Sequence, residues 1–286
     1  VFQLGDIRID LISDGTVMVD GGGPFGLVPK ALWQHVLAPN DENLVPQALT
    51  SLLIRVGGRN IVVDAGIGNR LNEKLRKIWR INRPRGGLVD ALARLGLRPE
   101  DIDMLVNTHL HLDHAGGNMI EDEAGELRPT FPNAEYVVQR REYEDAMRPN
   151  ERTRATYWPS NYQPLYEAGQ LRLLDGDTEL APGVHGIVTP GHTPGLMCIL
   201  FERDGQQALF CADMAAYAFH LERLAWIPSY DVEPLVSLET KRRWQQWALE
   251  TGALLIFEHD PHRPAGRMVL DESGKPRVEP VAVEFA

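Results

Sequence analysis

The stretch Asn107-Thr108-His109-Leu110-His111-Leu112-Asp113-His114-Ala115-Gly116-Gly117 places three imidazoles and a carboxylate within six residues, directly after an apolar run. In extended chain successive side chains point to opposite sides, so His109, His111 and Asp113 project one way while Leu110 and Leu112 turn to the core. A turn at the glycine pair then brings His114 in beside them. Neutral imidazole nitrogen and carboxylate oxygen are donors that zinc and similar divalent ions accept. A single histidine is ordinarily a hydrogen-bonded loop or core residue, but four ligand-type residues at this spacing point to a metal.

Three further apolar runs end in the same way: Ile187-Val188-Thr189-Pro190-Gly191-His192, Leu209-Phe210-Cys211-Ala212-Asp213 and Leu254-Leu255-Ile256-Phe257-Glu258-His259. Each reads as a buried strand with a metal-type ligand at its end, and strand ends converge at one edge of a sheet, where open α/β folds keep their sites. Asp64 closes another such run and is a candidate for fixing the orientation of an imidazole. His35, His185 and His262 lack this strand-end context and are expected at the surface.

The elements that must position these residues are short. Apolar runs at 7–13, 16–19, 51–56, 60–64, 104–108, 135–139, 186–189, 197–201, 208–212 and 253–257 predict strands. Helical periodicity marks 70–79, 88–95, 140–147 and 234–249. Many strands with interspersed helices imply sheet layers covered by helices, an α/β or α+β sandwich. No repeat or linker divides the chain, so residues 1–286 are expected to form one domain. Gly21-Gly22-Gly23-Pro24 follows a strand but lacks the Gly-Lys-Ser/Thr of a phosphate loop, and is read as a turn.

Composition narrows the chemistry. The 286 residues carry 29 Lys+Arg against 40 Asp+Glu, a net charge of −11, which opposes encounter with nucleic acid or an anionic membrane. Nine Lys/Arg between 70 and 98 form one basic island, expected to be a solvated helical face. Two cysteines, Cys198 and Cys211, lie in apolar runs and exclude a disulfide framework. No stretch approaches the ~20 apolar residues of a membrane span. Cytoplasmic placement is the expectation, and a first residue of Val1 leaves a periplasmic or secreted one open.

The set His109-x-His111-x-Asp113-His114, followed by His192, Asp213 and His259, resembles the metallo-β-lactamase superfamily, with all seven ligand positions filled. The resemblance extends to Gly191-His192-Thr193-Pro194-Gly195 and covers nearly the whole chain. It implies a four-layer αββα sandwich with the site at one edge, and two divalent ions, zinc first, with manganese, cobalt or iron as alternatives. On that pattern His109, His111 and His192 hold one ion, Asp113, His114 and His259 the other, and Asp213 bridges them. Seven groups are too many for one tetrahedral ion, but supply three each to two ions plus one shared carboxylate. The implied reaction is attack of a metal-bridging hydroxide on a carbonyl or phosphoryl centre, with no Gly-x-Ser-x-Gly elbow in the sequence.

Within the superfamily, Asp213 stands where class B β-lactamases use Cys, and His111 where flavodiiron enzymes use Glu. A large basic arm for tRNA processing is missing. What remains is similar to the branch of N-acyl-homoserine lactonases and methyl-parathion-type hydrolases. Lactone or ester hydrolysis with promiscuous phosphotriesterase activity is therefore expected, the alternatives being a dedicated organophosphate or aryl-ester hydrolase and a non-catalytic metal-binding protein. The expected partner is a small lactone, ester or phosphotriester, with a homodimer consistent with the resemblance. The lactonase tyrosine three residues after the bridging aspartate is Ala216 here, so Tyr217 becomes the candidate catalytic tyrosine beside Asp113 and Asp213. Phe25 and Phe219 are the expected substrate-lining aromatics.

Overall fold

The computed structural model describes residues 1–122 and 124–286. The chain begins with strands β1 (Phe2–Leu4) and β2 (Ile7–Asp20), the one-turn helices α1 (Gly22–Phe25) and α2 (Lys30–Trp33), and strands β3 (Leu44–Val56) and β4 (Arg59–Val63). Helices α3 (Glu73–Trp79) and α4 (Leu88–Arg94), strand β5 (Met104–Val106), helix α5 (Leu112–Ala115) and the hairpin β6 (Met119–Glu121) and β7 (Leu127–Pro129) follow. Strand β8 (Glu135–Gln139), helices α6 (Arg140–Met147) and α7 (Gln163–Glu167), and strand β9 (Leu171–Leu174) complete the first half. The second half runs β10 (Thr178–Ala181), β11 (Val184–Val188), β12 (Met197–Arg203), β13 (Gln206–Phe210), α8 (Ala218–Glu222), α9 (Pro234–Thr251), β14 (Leu254–Ile256), β15 (Ala265–Leu270) and β16 (Pro276–Pro280).

Two seven-stranded sheets result, in the orders β1-β2-β3-β4-β5-β8-β9 and β10 through β16. Period-two alternation decides which side chain meets which layer. Ile61 and Val63 of β4, Met104 and Val106 of β5 and Val137 of β8 face the second sheet's Ile199, Phe201 and Phe210. The intervening Val62, Leu105, Tyr136 and Val138 face Ala91 and Leu92 of α4, Tyr143 and Ala146 of α6 and Leu165 of α7. On the other side Trp244 and Ala248 of α9 pack with the second sheet. Each buried Val, Ile, Leu, Met or Phe side chain contributes about 1.5–3 kcal/mol, so a helix–sheet–sheet–helix sandwich follows from the alternation.

Strand direction then sets where chemistry can be placed. β5 runs parallel to β4. β11 and β13 are both antiparallel to β12, and β14 is parallel to β13. The ends of β11, β13 and β14 therefore open on one edge of the second sheet, and the residues after β5 meet those that follow them there.

Several expectations change in detail. The two runs at 7–13 and 16–19 form one strand, β2, interrupted by a bulge between Ser13 and Gly15. The extra residue, Asp14, is buried and accepts from Ile67 N (2.9 Å), Leu88 N (3.1 Å) and the Arg83 guanidinium (2.6 Å). Arg83 is thus one member of the basic island that is not simply solvated, whereas α3 buries no residue. Gly22 and Gly23 are not a bare turn but open α1, with Gly22 N held by Asp20 Oδ1 at 2.7 Å. Cys198 and Cys211 are buried as free thiols, and burial pushes Cys198 up to about 12. His35 and His262 are exposed, while His185 is half-buried. Among the described residues no helix is long and apolar enough to cross a membrane.

Candidate metal centre

Beyond β5 the chain passes through Asn107 and bends at Thr108. Thr108 is fastened twice to Asp64 at the end of β4: its amide donates to Oδ1 (2.8 Å) and its hydroxyl to Oδ2 (2.7 Å). Asp64 adopts a left-handed backbone, φ +55°, a costly conformation for a residue with a Cβ and one that surrounding bonds must hold. The strand alternation expected for 109–113 ends at His111, which caps the start of α5. Asp113 therefore reaches the site from the first helical turn rather than from an extended strand. A Cβ at Gly116 or Gly117 would stand 2.4 and 2.2 Å from the carbonyl oxygens of Ile67 and Ala65, so only glycine lets this segment lie against the chain after β4.

The strand ends from both sheets meet. His109, His111 and His192 present donor atoms within 4.8 Å of one another, as do Asp113, His114 and His259, and as do His109, His114 and Asp213. Asp213 stands between the first two groups, Oδ2 at 3.2 Å from His192 Nε2 and Oδ1 at 3.1 Å from His259 Nε2. All seven residues predicted from sequence as ligands thus lie together, five imidazoles around two carboxylates. Asp113 is further fixed by Gln47, whose Nε2 donates to Oδ2 at 2.8 Å.

The outer nitrogens decide what the inner ones offer. His259 Nδ1 lies 2.7 Å from the Ala48 carbonyl, which can only accept, so the imidazole donates there. His192 Nδ1 meets Asp231 at 3.0 Å, and His114 Nδ1 meets Asp64 at 3.1 Å and Glu258 at 3.0 Å. His109 Nδ1 faces the Thr108 hydroxyl at 3.1 Å; that hydroxyl's proton is already given to Asp64, so it accepts from the ring. In the neutral tautomers so fixed, the Nε2 lone pairs of His109, His114, His192 and His259 all face inward.

Inward-facing ring nitrogens then meet at close range: His192 Nε2 and His111 Nδ1 at 3.0 Å, and the lone pairs of His259 Nε2 and His114 Nε2 at 3.3 Å. His109 Nε2 and Asp213 Oδ1 are buried without a hydrogen-bonding partner. Two nitrogens each ~2.0–2.1 Å from a tetrahedral zinc lie about 3.3 Å apart, so the donor set fits divalent metal. In the metal-free chain protons are the only cations that can relieve this crowding. Burial pushes His259 down, but Asp213 raises it to about 9. His114 and His192 are raised against burial by their carboxylate neighbours. His109 and His111 are held well below their ordinary value, by burial first and then by nearby charged imidazoles. Burial would raise Asp213, yet the imidazoles of His259, His192 and His114 outweigh it and keep the carboxylate ionised.

Above this cluster opens a cavity of about 460 Å³. His111, Asp113, His192, Asp213 and His259 lie in its wall, which otherwise is largely apolar, including Met18, Val19, Leu44, Ile78, Trp79 and Pro228. Among the described residues no Lys or Arg lines it. A depression of about 730 Å³ at Glu202–Gln207 is larger but holds none of the converging donors.

Phe25 and Phe219, expected to line this cavity, do not. They stack on each other at 4.7 Å, and Phe25 stacks on Trp33 at 4.6 Å, which buries all three in a satellite core with Trp226 packed against it. Aromatic rings that find one another bury their own surface and leave little for a ligand. Tyr217 does line the cavity, but its hydroxyl donates to the Pro46 carbonyl at 3.2 Å. The tyrosine that sequence reasoning missed is Tyr230. Its hydroxyl end is turned in against Gly23, where a Cβ would come within 1.8 Å of the oxygen. Among the described residues no group accepts its proton, and burial together with Asp113, Asp20 and Asp213 pushes its ionisation upward, so it stays a donor. No local pattern marks it; only its place one residue before Asp231, which orients His192, connects it to the site.

A family model described as Metallo-beta-lactamase superfamily matches residues 46–244. An N-acyl homoserine lactonase from Bacillus sp. is 30% identical over 187 residues, covering 65% of this chain and 66% of that protein. The match thus spans just under two thirds of that relative's length. The N-acyl homoserine lactonase AttM of Rhizobium radiobacter is 29% identical over 190 residues, covering 64% of this chain and 67% of its own. Among solved structures, a probable metal-dependent hydrolase from Staphylococcus aureus superposes with a TM-score of 0.87 at 30% identity, over 99% of this chain and 100% of that one. AidC, a dizinc quorum-quenching lactonase in complex with a product, shares the fold with a TM-score of 0.81 at 20% identity, over 99% and 97% of the two chains.

Proposed function

Because the chain belongs to the metallo-β-lactamase superfamily, we propose that its seven-donor cluster holds two divalent ions and hydrolyses an uncharged lactone of the N-acyl homoserine type, with esters and phosphotriesters as slower substrates. Two such ions would supply an activated water and electrophilic assistance to the bond being broken. His109, His111 and His192 would hold one, Asp113, His114 and His259 the other, and Asp213 both. The observation that carries the substrate class is the cavity wall: it is largely apolar and, among the described residues, without a Lys or Arg, so a neutral head with an apolar tail is favoured over a phosphomonoester or polyanion. A single domain spanning 1–286 is part of the same reading, since the core between the sheets draws on both halves of the chain.

The chain's own contributions are orientation and proton placement. Gln47 fixes Asp113, and Asp64, Asp231 and the Ala48 carbonyl fix three of the imidazoles. Tyr230 lines the cavity, and its O–H would donate to a substrate oxygen as charge develops there. Tyr230→Phe is expected to lower kcat/KM by about 10- to 100-fold, the equivalent of one hydrogen bond to a charged group. Tyr217→Phe, whose hydroxyl is committed to Pro46, should cost far less. Equal losses in steady-state assays of both variants would reject this division of roles.

A substrate panel tests the function itself. Efficiency should rank an acyl-homoserine lactone above an aryl ester, and both above paraoxon. Higher efficiency on paraoxon or the aryl ester than on any lactone would replace this reading with a dedicated organophosphate or aryl-ester hydrolase.

A further inference from the structure

Four of the five imidazoles are oriented by a hydrogen bond at the outer nitrogen, but His111 is the exception. Among the described residues no group bonds its Nε2. Its ring instead rests against Tyr157, centroids 5.0 Å apart, and the two backbones meet in an isolated bridge. The Tyr157 hydroxyl donates at 3.0 Å to Glu142 Oε1, a wholly buried carboxylate on α6. The same Oε1 accepts from Leu110 N at 3.0 Å, in the peptide between His109 and His111. Its other oxygen accepts from the Thr193 hydroxyl at 2.6 Å, next to His192. Contact between these segments is close: a Cβ on Gly195 would stand 2.4 Å from Glu142 N.

We propose that Glu142, acting through Tyr157, Leu110 and Thr193, is the positioning residue that assembles the three-histidine half of the centre, joining the end of β5 to the turn after β11. A buried carboxylate is costly unless its oxygens are satisfied. Here three donors satisfy it: Leu110 and Thr193 belong to the segments that carry His109, His111 and His192, and Tyr157 packs against His111. Among the described residues Glu142, Tyr157 and Thr193 make no side-chain hydrogen bond to Asp113 or His259, whose partners are Gln47 and Ala48. Its loss therefore acts on one half of the centre and spares the other. This inference rests on the two-ion reading above.

The test is metal affinity rather than turnover. Metal-free wild type, Tyr157→Phe and Glu142→Gln are titrated with zinc against a chromophoric chelator, and crystals grown at one equivalent of zinc locate the retained ion by anomalous scattering. Wild type should take up two ions. In both variants one affinity should fall about 10- to 100-fold, the usual effect of losing a group that orients a metal ligand. The other should stay within about twofold, with its ion at Asp113, His114 and His259. Tyr157→Phe keeps the packed ring and serves if Glu142→Gln folds poorly. Two unchanged affinities, two that fall together, or an ion retained at the three histidines would overturn the inference. Uptake of fewer than two ions by wild type would instead sink the two-ion reading.

Discussion

Replacing Asp213 by alanine is expected to reduce kcat/KM by well over about 100-fold, the upper range for groups that merely orient a metal ligand. The residue stands 3.1 Å from His259 and 3.2 Å from His192, so it belongs to both halves of the centre. Without it the two groups of three donors lose their shared carboxylate, and the buried imidazoles of His192 and His259 lose their counter-charge. Breaking a buried ion pair costs about 3–5 kcal/mol, so the metal-free variant should also melt earlier than wild type. Asp213→Asn keeps the volume and separates charge from shape. Kinetics, metal content and thermal melting of both variants check this together. Near-normal turnover by a fully metallated Asp213→Ala protein would remove the residue from the reaction.

The second large effect is that of chelation. Removing divalent ions should abolish hydrolysis, and zinc, cobalt or manganese should restore it. Ligand at 1,000 times its dissociation constant stabilises a fold by about 4 kcal/mol, so metal return should also raise the melting temperature. The pH dependence of metal uptake has a definite sign. His259, raised to about 9 in the metal-free chain, carries a proton below that pH, and an incoming ion must displace it. Affinity therefore climbs with pH, by up to about tenfold per unit for each proton displaced, and flattens above about pH 9. His114 and His192 are raised as well, so more than one proton contributes to the slope. Zinc competition titrations between pH 6 and 9 measure this directly. Activity that survives complete metal removal would falsify the hydrolytic scheme.

The sequence carries the site's ligands because they sit at the ends of strands whose own alternation is visible. Met104-Leu105-Val106 faces the second sheet, the helices and the second sheet again, and the chain then runs directly into Thr108 and His109. The shorter-range reading fails where the backbone changes type, as at Asp113, which enters on a helical turn. What cannot be seen at all are partners brought in from far along the chain. Gln47 to Asp113 and Asp231 to His192 span 66 and 39 residues, and Glu142 reaches Thr193 across 51. None has a spacing of its own to betray it. Phe25 and Phe219 mislead for the opposite reason: their loops look open in sequence, but tertiary contacts close them into a small core.

The donors also arrive in a fixed temporal order. His109 to His114 belong to the half of the chain that leaves the ribosome first, while His192, Asp213 and His259 lie on the second sheet. Because a domain generally folds as a unit and the core between the sheets draws on both halves of the chain, the first sheet's share of the cluster waits for its counterparts. A nascent chain that has not yet reached His259 lacks one of the seven donors. Complete assembly of the donor cluster thus follows synthesis of β14, and any ion held there would tie the two sheets together.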